Sequence, residues 1–483
     1  MPLIDEQLPN DLTTIHIMGI AGTAMGSLAG MLKDTGYEIT GSDVAVYPPM
    51  STYLEGLGIE VMEGFNTENL AHNPDLVVVG NVIRAVYDEA VALLDSDLPY
   101  CSFPQILGLL FLQSAQSIVI AGTHGKTTTT SIAAWLFEAA GKDPGFLIGG
   151  IAKNFDRTAR AGGGEFFVIE GDEYDTAFFD KRPKFLHYKP NIAVLTSVEF
   201  DHADIYTDEA HVRASFRELV GIMPDNGCLI ARWDDPGVRA VCENTPCEIW
   251  KYGPGESWDG RIEDVNTDTG TMTFSVLRDG QPIGTYESSL VGEHNLYNQV
   301  AATAAAVRAG ISPDALTAGF SSFLGIKRRQ EILAEPGRIT VLDDFAHHPT
   351  AVRLTLQSLR QRFGKRRLWA VWEPRSATSR RNIFQKEYAT AFDAADQVII
   401  AKPYDQSRIP EAERFSSELL VEDLAHRGVD AMTLEDTLDI AAVLATRAQP
   451  LDVIAILSNG GFNGLHGEVI HLLTKRFGED SSK

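Results

Sequence analysis

One short stretch limits what this chain can fold into more than any other: Ala121-Gly122-Thr123-His124-Gly125-Lys126-Thr127-Thr128. An apolar run at 117–121 leads into it, and a helix-forming run follows. The glycines let the backbone curl so that successive N–H groups face phosphate oxygens. A helix N-terminus behind the loop adds a partial positive charge. In that setting Lys126 can reach the β- and γ-phosphates, and the Thr127 hydroxyl can ligate Mg²⁺. Such a loop belongs between a buried parallel strand and a helix, so the spacing predicts an α/β chain. Ile120 stands where the generic phosphate loop, G-x-x-x-x-G-K-[ST], has its first glycine.

The same alternation recurs on both sides. Residues 13–18, 37–40 and 76–79 read as strands, with a glycine turn and a helix after the first. Runs at 166–169 and 192–195 accompany the phosphate-loop strand. Residues 256–286 alternate polar and apolar around Asp279-Gly280, which predicts antiparallel hairpins. An alanine-rich helix is expected over 298–309. Strands are expected again at 339–342, 368–372, 398–401 and 453–457. The 483 residues suit about three domains at roughly 100–200 residues each. The expected division is a Rossmann-like domain at 1–115, a P-loop ATPase-like domain at 116–327 and a second Rossmann-like domain at 328–483. Each is built on a mostly parallel sheet.

Charge and cysteine usage narrow the partners. The net charge of −25 disfavours nucleic acid, whose phosphates need Lys and Arg. Small phosphorylated ligands remain compatible, because backbone amides and a few cations can hold them locally. Cys101, Cys228, Cys242 and Cys247 form no C-x-x-C pair, as expected for thiols kept in a reducing compartment. Residues 1–10 are polar, and no apolar run approaches the roughly 20 residues that span a bilayer. A cytoplasmic protein without membrane insertion is expected. Oligomeric state leaves no trace in the sequence.

Polar residues cluster where the predicted strands end. Glu170 follows 166–169, and Glu199, Asp201 and His202 follow 192–195. Carboxylate and imidazole at successive strand ends can hold a metal that bridges phosphates. The first strand is followed by Gly19-Ile20-Ala21-Gly22-Thr23-Ala24-Met25-Gly26, and the second by Ser42-Asp43, a position that often meets a ribose or base. A nicotinamide-dependent dehydrogenase could use that first turn, but it would leave Lys126, Glu170 and His202 unexplained. In the last third, Asp343-Asp344-Phe345-Ala346-His347-His348-Pro349, Glu373-Pro374-Arg375-Ser376 and Ser458-Asn459-Gly460-Gly461 also follow strands. Ligands bind at the carboxyl ends of parallel sheets, so three such loops predict a site there.

Together these residues resemble the Mur ligase family over nearly the whole chain. The resemblance implies a UDP-binding domain, an ATP-binding domain and a C-terminal domain that closes over both. The family's Gly-Thr-x-Gly-Lys-Thr loop is similar to residues 122–127, which accounts for Ile120. ATP is then expected on Gly122, Thr123, His124, Gly125, Lys126, Thr127 and Thr128. The segment 292–298 looks like the family's adenine contact, through His294, Asn295 and Asn298, with Arg328 (or Arg329) and Asp343 completing the nucleotide site. Mg²⁺ is expected on Thr127, Glu170 and His202. Lys126, Glu170, His202 and His347 are the expected catalytic residues. The UDP-sugar is expected on Gly19, Gly22, Thr23, Met25, Gly26, Ser42, Asp43, Gly80 and Asn81, and the amine substrate on Arg375, Ser376, Ser458 and Asn459.

The resemblance further implies an ATP-dependent ligase. ATP phosphorylates the carboxylate of UDP-N-acetylmuramate, and an amine attacks the acyl phosphate. Several members carry a modified lysine about a dozen residues after the metal histidine. Residues 212–216 contain none, as in the muramate–alanine branch. Stretches 46–52, 199–205, 373–376 and 458–462 look more like the branch that recycles murein peptide. The implied amine is therefore L-alanyl-γ-D-glutamyl-meso-diaminopimelate, with free L-alanine the alternative.

Overall fold

Parallel pairing, which the strand–loop–helix alternation requires, dominates the sheets of the computed structural model, which describes residues 7–47 and 50–478. Pro48 and Pro49, within the 46–52 stretch, lie outside the described residues. Two compact units are present. One holds the described chain up to Glu199 with Glu209–Trp258 and Ala301–Gly319. The other holds Phe200–Asp208, Asp259–Val300 and the described chain from Phe320.

In the first unit, Thr14–Met18 is central to a five-stranded parallel sheet. Glu38–Asp43 and then Glu60–Glu63 lie on one side, Leu76–Val79 and then Tyr100–Ser102 on the other. This Rossmann-like order reverses direction at Thr14–Met18, where such sheets bind ligands. Met18 pairs with Ser42 and with Val79, so Gly19, Asp43 and Gly80 emerge together at one edge. The second strand is longer than the expected 37–40, and Asp43 ends it rather than following it. Gly41 stands just past the expected strand end. It is instead a strand glycine facing a close neighbour, since a Cβ there would lie 2.7 Å from the Ile17 carbonyl.

The second sheet of this unit runs Glu248–Tyr252, Cys228–Arg232, Ile192–Leu195, Gln116–Ala121, Phe166–Gly171, Gly145–Ala152, Arg157–Arg160. All neighbours are parallel except the last pair. Ala121 pairs with both Leu195 and Gly171, which brings the ends of three strands level. Ile120 is fully buried mid-strand, so the position that a generic loop gives to glycine is here part of the core.

In the second unit, Thr271–Arg278 and Gln281–Ser288 form the expected antiparallel hairpin. Asp279 and Gly280 both have positive φ (51° and 75°), as a type I′ turn requires. The helix expected over 298–309 starts earlier, at Glu293. Its polar first turn does not continue the alanine pattern, but an acid there complements the helix dipole. His294, Asn295 and Asn298 therefore share its N-terminal turns. The six-stranded sheet runs Glu331–Ala334, Thr340–Asp344, Val453–Leu457, Leu368–Trp372, Gln397–Ala401, Asp430–Leu434, antiparallel only at the first pair. Leu368, Ala370 and Trp372 pack into one core, Trp369 and Val371 into another. Burial on both faces explains why these strands are continuously apolar. Asp344, Leu457 and Trp372 are in register, so the loops beginning at Phe345, Ser458 and Glu373 are neighbours. No helix among the described residues is long and apolar enough to cross a membrane.

Candidate active site

The loop at 122–125 owes its shape to two glycines and to the loop after Ile192–Leu195. Gly122 has φ +135° and Gly125, the N-cap of helix Lys126–Ala139, has φ +82°. The Thr123 amide donates to the Ser197 carbonyl (3.0 Å), and the His124 amide to Ser197 Oγ (2.9 Å). Thr123 Oγ1 donates to the Glu199 carbonyl and accepts from its amide (3.0 and 2.9 Å). His124 Nε2 lies 3.3 Å from Glu199 Oε2. Thr128 is buried in the first helical turn.

Lys126 is not on an open loop. Its side chain is 14% exposed, and its ammonium donates to the carbonyls of Gly122 (2.6 Å) and Thr123 (3.2 Å) and to Glu173 Oε1 (3.0 Å). Burial alone would lower its pKa, but Glu173, then Glu170 and Asp172, outweigh this and hold it above the ordinary lysine value. Thr127 Oγ1 donates to Glu170 Oε1 (3.0 Å), and the Gly149 amide donates to Glu170 Oε2 (2.7 Å). A Cβ at Gly149 would press within 2.7 Å of that carboxylate. Glu173 went unassigned in the sequence, because its partner Lys126 lies 47 residues away.

At the other sheet of this unit, Gly22 precedes helix Thr23–Asp34, whose Met25 and Gly26 are buried. The amides of Gly19 and Ile20 donate to the Ser42 carbonyl (2.8 and 3.2 Å), and that of Gly80 to Met18 (3.0 Å). Asn81 is exposed beside Gly80. Asp43 uses both carboxylate oxygens on the backbone: Oδ2 accepts from Ala21 (3.0 Å), Oδ1 from Val44 (2.7 Å) and Ala45 (3.2 Å). It shapes the two loops from which a ligand would be held. Beneath it, Ser42 Oγ donates to Glu89, a fully buried acid that also holds His16 (2.8 Å) and Asn69 (2.8 Å). No local pattern marks Glu89, because its partners are distant in sequence.

In the second unit, Arg328 (φ +62°) bonds Asp343 Oδ2 (3.2 Å) and the carbonyls of Ser458 and Gly460 (both 2.7 Å), while His466 lies 3.1 Å from Asp343 Oδ1. Arg328 thus reaches Asp343. Asn295 and Asn298, one and four residues beyond His294 on the same helix, are both buried and face each other at 3.4 Å. His347 is bracketed by the Phe345 carbonyl (3.0 Å, from Nδ1) and Asp201 Oδ2 (3.7 Å, from Nε2). His202 shares this unit with Asp201, whereas Thr127 and Glu170 belong to the other. Burial would raise the Asp201 carboxyl's pKa, but His347, His202 and His348 hold it well below the usual range.

Arg375 pairs with the buried Glu373 (3.1 Å) and stacks its guanidinium 3.8 Å over the Tyr404 ring. Ser458 Oγ donates to the other Glu373 oxygen (2.5 Å), and Ser376 is tied to Ser379. Asn459 Oδ1 is buried without a hydrogen-bond partner among the described residues. Beside this group a cavity of about 480 Å³ is lined by Glu373, Lys402, Tyr404, Arg414 and Glu435, among others. Asp405, Phe462 and Asn463 on its wall all have positive φ, the kind of backbone strain that gathers at ligand sites.

Three family models match the chain: the Mur ligase family catalytic domain over 14–114, the Mur ligase middle domain over 120–306 and the Mur ligase glutamate ligase domain over 328–460. The chain is 41% identical to the UDP-N-acetylmuramate–L-alanyl-γ-D-glutamyl-meso-2,6-diaminoheptandioate ligase of Escherichia coli K12, covering 96% of this chain and 98% of that one. It is 34% identical to the UDP-N-acetylmuramate–L-alanine ligase of Salinibacter ruber, covering 92% of each. Among solved structures, a murein peptide ligase from Psychrobacter arcticus 273-4 is 36% identical with a TM-score of 0.68, covering 95% of this chain and 98% of that one.

Proposed function

Because this chain belongs to the Mur ligase family, we propose that it is the ATP-dependent ligase that joins UDP-N-acetylmuramate to L-alanyl-γ-D-glutamyl-meso-diaminopimelate. The reaction gives UDP-N-acetylmuramoyl-tripeptide, ADP and phosphate, and returns murein peptide to cell-wall synthesis. The observation that carries this choice of amine is the higher full-length identity to the peptide ligase than to the alanine ligase. Geometry supports it. The 480 Å³ cavity beside Arg375 suits a ligand larger than alanine, within the roughly 300–1,000 Å³ usual for small-molecule sites. Basic Lys402 and Arg414 and acidic Glu435 on its wall match a peptide that carries both carboxylates and an amine.

The work divides among residues 1–115 for the UDP-sugar, 116–327 for ATP and 328–483 for the amine. In this reading the amides of 122–127 and the Lys126 ammonium hold the phosphates and oppose the charge that develops during phosphoryl transfer. Thr127, Glu170 and His202 would hold Mg²⁺. The Thr127 hydroxyl already touches the Glu170 carboxylate, and such oxygen ligands suit a hard divalent cation. When bound, that ion neutralises phosphate charge. Asn295 and Asn298 face the adenine, while Arg328 and Asp343 meet the rest of the nucleotide. Asn459 Oδ1 is an acceptor for the incoming amine, and we assign the proton that amine loses to His347. Water must be kept from the acyl phosphate, which favours closure over the substrates before transfer. Consumption of ATP and free thiols both support a cytoplasmic setting.

A competition assay decides the amine. Supplied with UDP-N-acetylmuramate, ATP, Mg²⁺ and equal free L-alanine and tripeptide, the enzyme is expected to favour the tripeptide product by about 100-fold or more. A product carrying alanine alone, identified by mass, would overturn the peptide assignment and leave ligase chemistry standing. Asp43 gives a second test. Asp43→Ala frees three backbone amides and loosens both loops, so the KM for the UDP substrate should rise more than that for ATP. Equal changes in the two constants would count against separate nucleotide sites.

A further inference from the structure

Thr378 stands 177 residues from Asp201 in sequence, yet its hydroxyl donates to Asp201 Oδ1 at 2.7 Å. The same hydroxyl oxygen accepts from the Ala203 amide at 3.3 Å. These two bonds grip the chain on either side of His202. His202 itself has φ +54°, in the left-handed region that few non-glycine residues occupy. Its amide donates back to Asp201 Oδ1 (2.7 Å), and its carbonyl accepts from Ile205 and Tyr206 (2.9 and 3.0 Å). Asp201 and Thr378 are both buried. A strained residue of this kind persists only where its surroundings over-determine it. Here the surroundings are Asp201 and a threonine from a distant loop, the one that follows Arg375 and Ser376.

We propose that Thr378 is a positioning residue: through Asp201 and the Ala203 amide it locks the left-handed turn at His202 and so aims that imidazole. The assignment of the imidazole to a divalent cation rests on the ligase reading, whereas the lock on the turn does not. Asp201 extends the arrangement, because its second oxygen faces His347 Nε2 at 3.7 Å. One buried carboxylate therefore registers both imidazoles, and Thr378 fixes that carboxylate. Groups of this rank, one step behind a metal ligand, typically change metal affinity or activity 10–100-fold when removed.

The test compares full-length Thr378→Val, which keeps the shape and loses the hydroxyl, with Thr378→Ser, which keeps the hydroxyl. Amide hydrogen exchange over 200–208 should be about tenfold faster in the valine variant, with peptides elsewhere unchanged. Mn²⁺ titrated in the presence of ADP, read by electron paramagnetic resonance, should bind about tenfold more weakly. Turnover should fall about tenfold with the KM for UDP-N-acetylmuramate unchanged, and serine should restore all three. Wild-type exchange and Mn²⁺ affinity in the valine variant would overturn the proposal, as would failure of serine to restore them. If valine prevents folding, Thr378→Ala gives the same comparison. Unfolding of both while serine folds would assign Thr378 to stability and end the positioning role. If wild type itself releases no phosphate, the ligase reading fails, and exchange at 200–208 still decides the lock.

Discussion

Lys126→Ala is expected to slow phosphate release by about 10²–10³-fold, the usual cost of losing one preorganised charge at a transition state. The sequence alone suggests that this change removes a charge from an exposed loop. The structure corrects that expectation. Lys126 is largely buried and is the partner of Glu173, which is only 3% exposed. Truncation removes the ammonium that donates to this buried carboxylate, at a cost of about 1–3 kcal/mol of stability. Adding Glu173→Gln removes the buried charge as well, so the double variant should recover part of the lost melting temperature and none of the activity. Thermal melting and phosphate release on the same samples separate the two effects. Near-normal turnover in the single variant would sink the assignment of 122–127 to phosphate.

Gly122→Ala is expected to be the most damaging single-methyl change in the 122–127 loop. At φ +135° an L-residue is strained whatever the space around it, and here there is none. The added Cβ would collide with Thr196 Oγ1 and lie 2.8 and 2.9 Å from the backbone nitrogen and oxygen of Ser197. Backbone atoms cannot swing aside like a flexible side chain. Strain and overpacking together should cost about 2–5 kcal/mol. The loop that accepts from and donates to Thr123 and His124 must move, so ATP binding should be lost with it. Gly221→Ala is the control: a Cβ there meets nothing within 4 Å. Equal melting temperatures for the two variants, with ATP binding retained, would show that the loop tolerates a different path.

How much of this was readable beforehand depends on range in sequence. Parallel strands buried on both faces are written as apolar runs, so Leu76–Val79, Ile192–Leu195, Leu368–Trp372 and Val453–Leu457 carry their own signal. Polar loops directly after those runs are equally legible, because position alone puts them on the ligand edge. Pairings are not. Asp43 is easily seen beside a glycine turn, but that its carboxylate is spent on Ala21, Val44 and Ala45 follows only from the folded register. Arg375 reads equally as a fork for a substrate carboxylate or as the partner of a neighbouring acid such as Glu373, and only the fold shows it held by Glu373 and laid on Tyr404. Glu89, Glu173 and Thr378 gain their meaning from partners 20 to 177 residues away, and no local pattern encodes such distances.

The passage of Phe200–Asp208 into the second unit sets a timetable for synthesis. At roughly 5–20 residues per second, Asp201 leaves the ribosome about 10–35 s before Thr378, which lies 177 residues behind it. Throughout that interval a carboxylate destined for burial, and a histidine destined for a left-handed turn, must wait in water. The early segment is therefore exposed to proteases and to wrong partners until nearly four-fifths of the message has been read. A nascent chain stalled before Thr378 should show rapid cleavage at 200–208, and one stalled well beyond it should not.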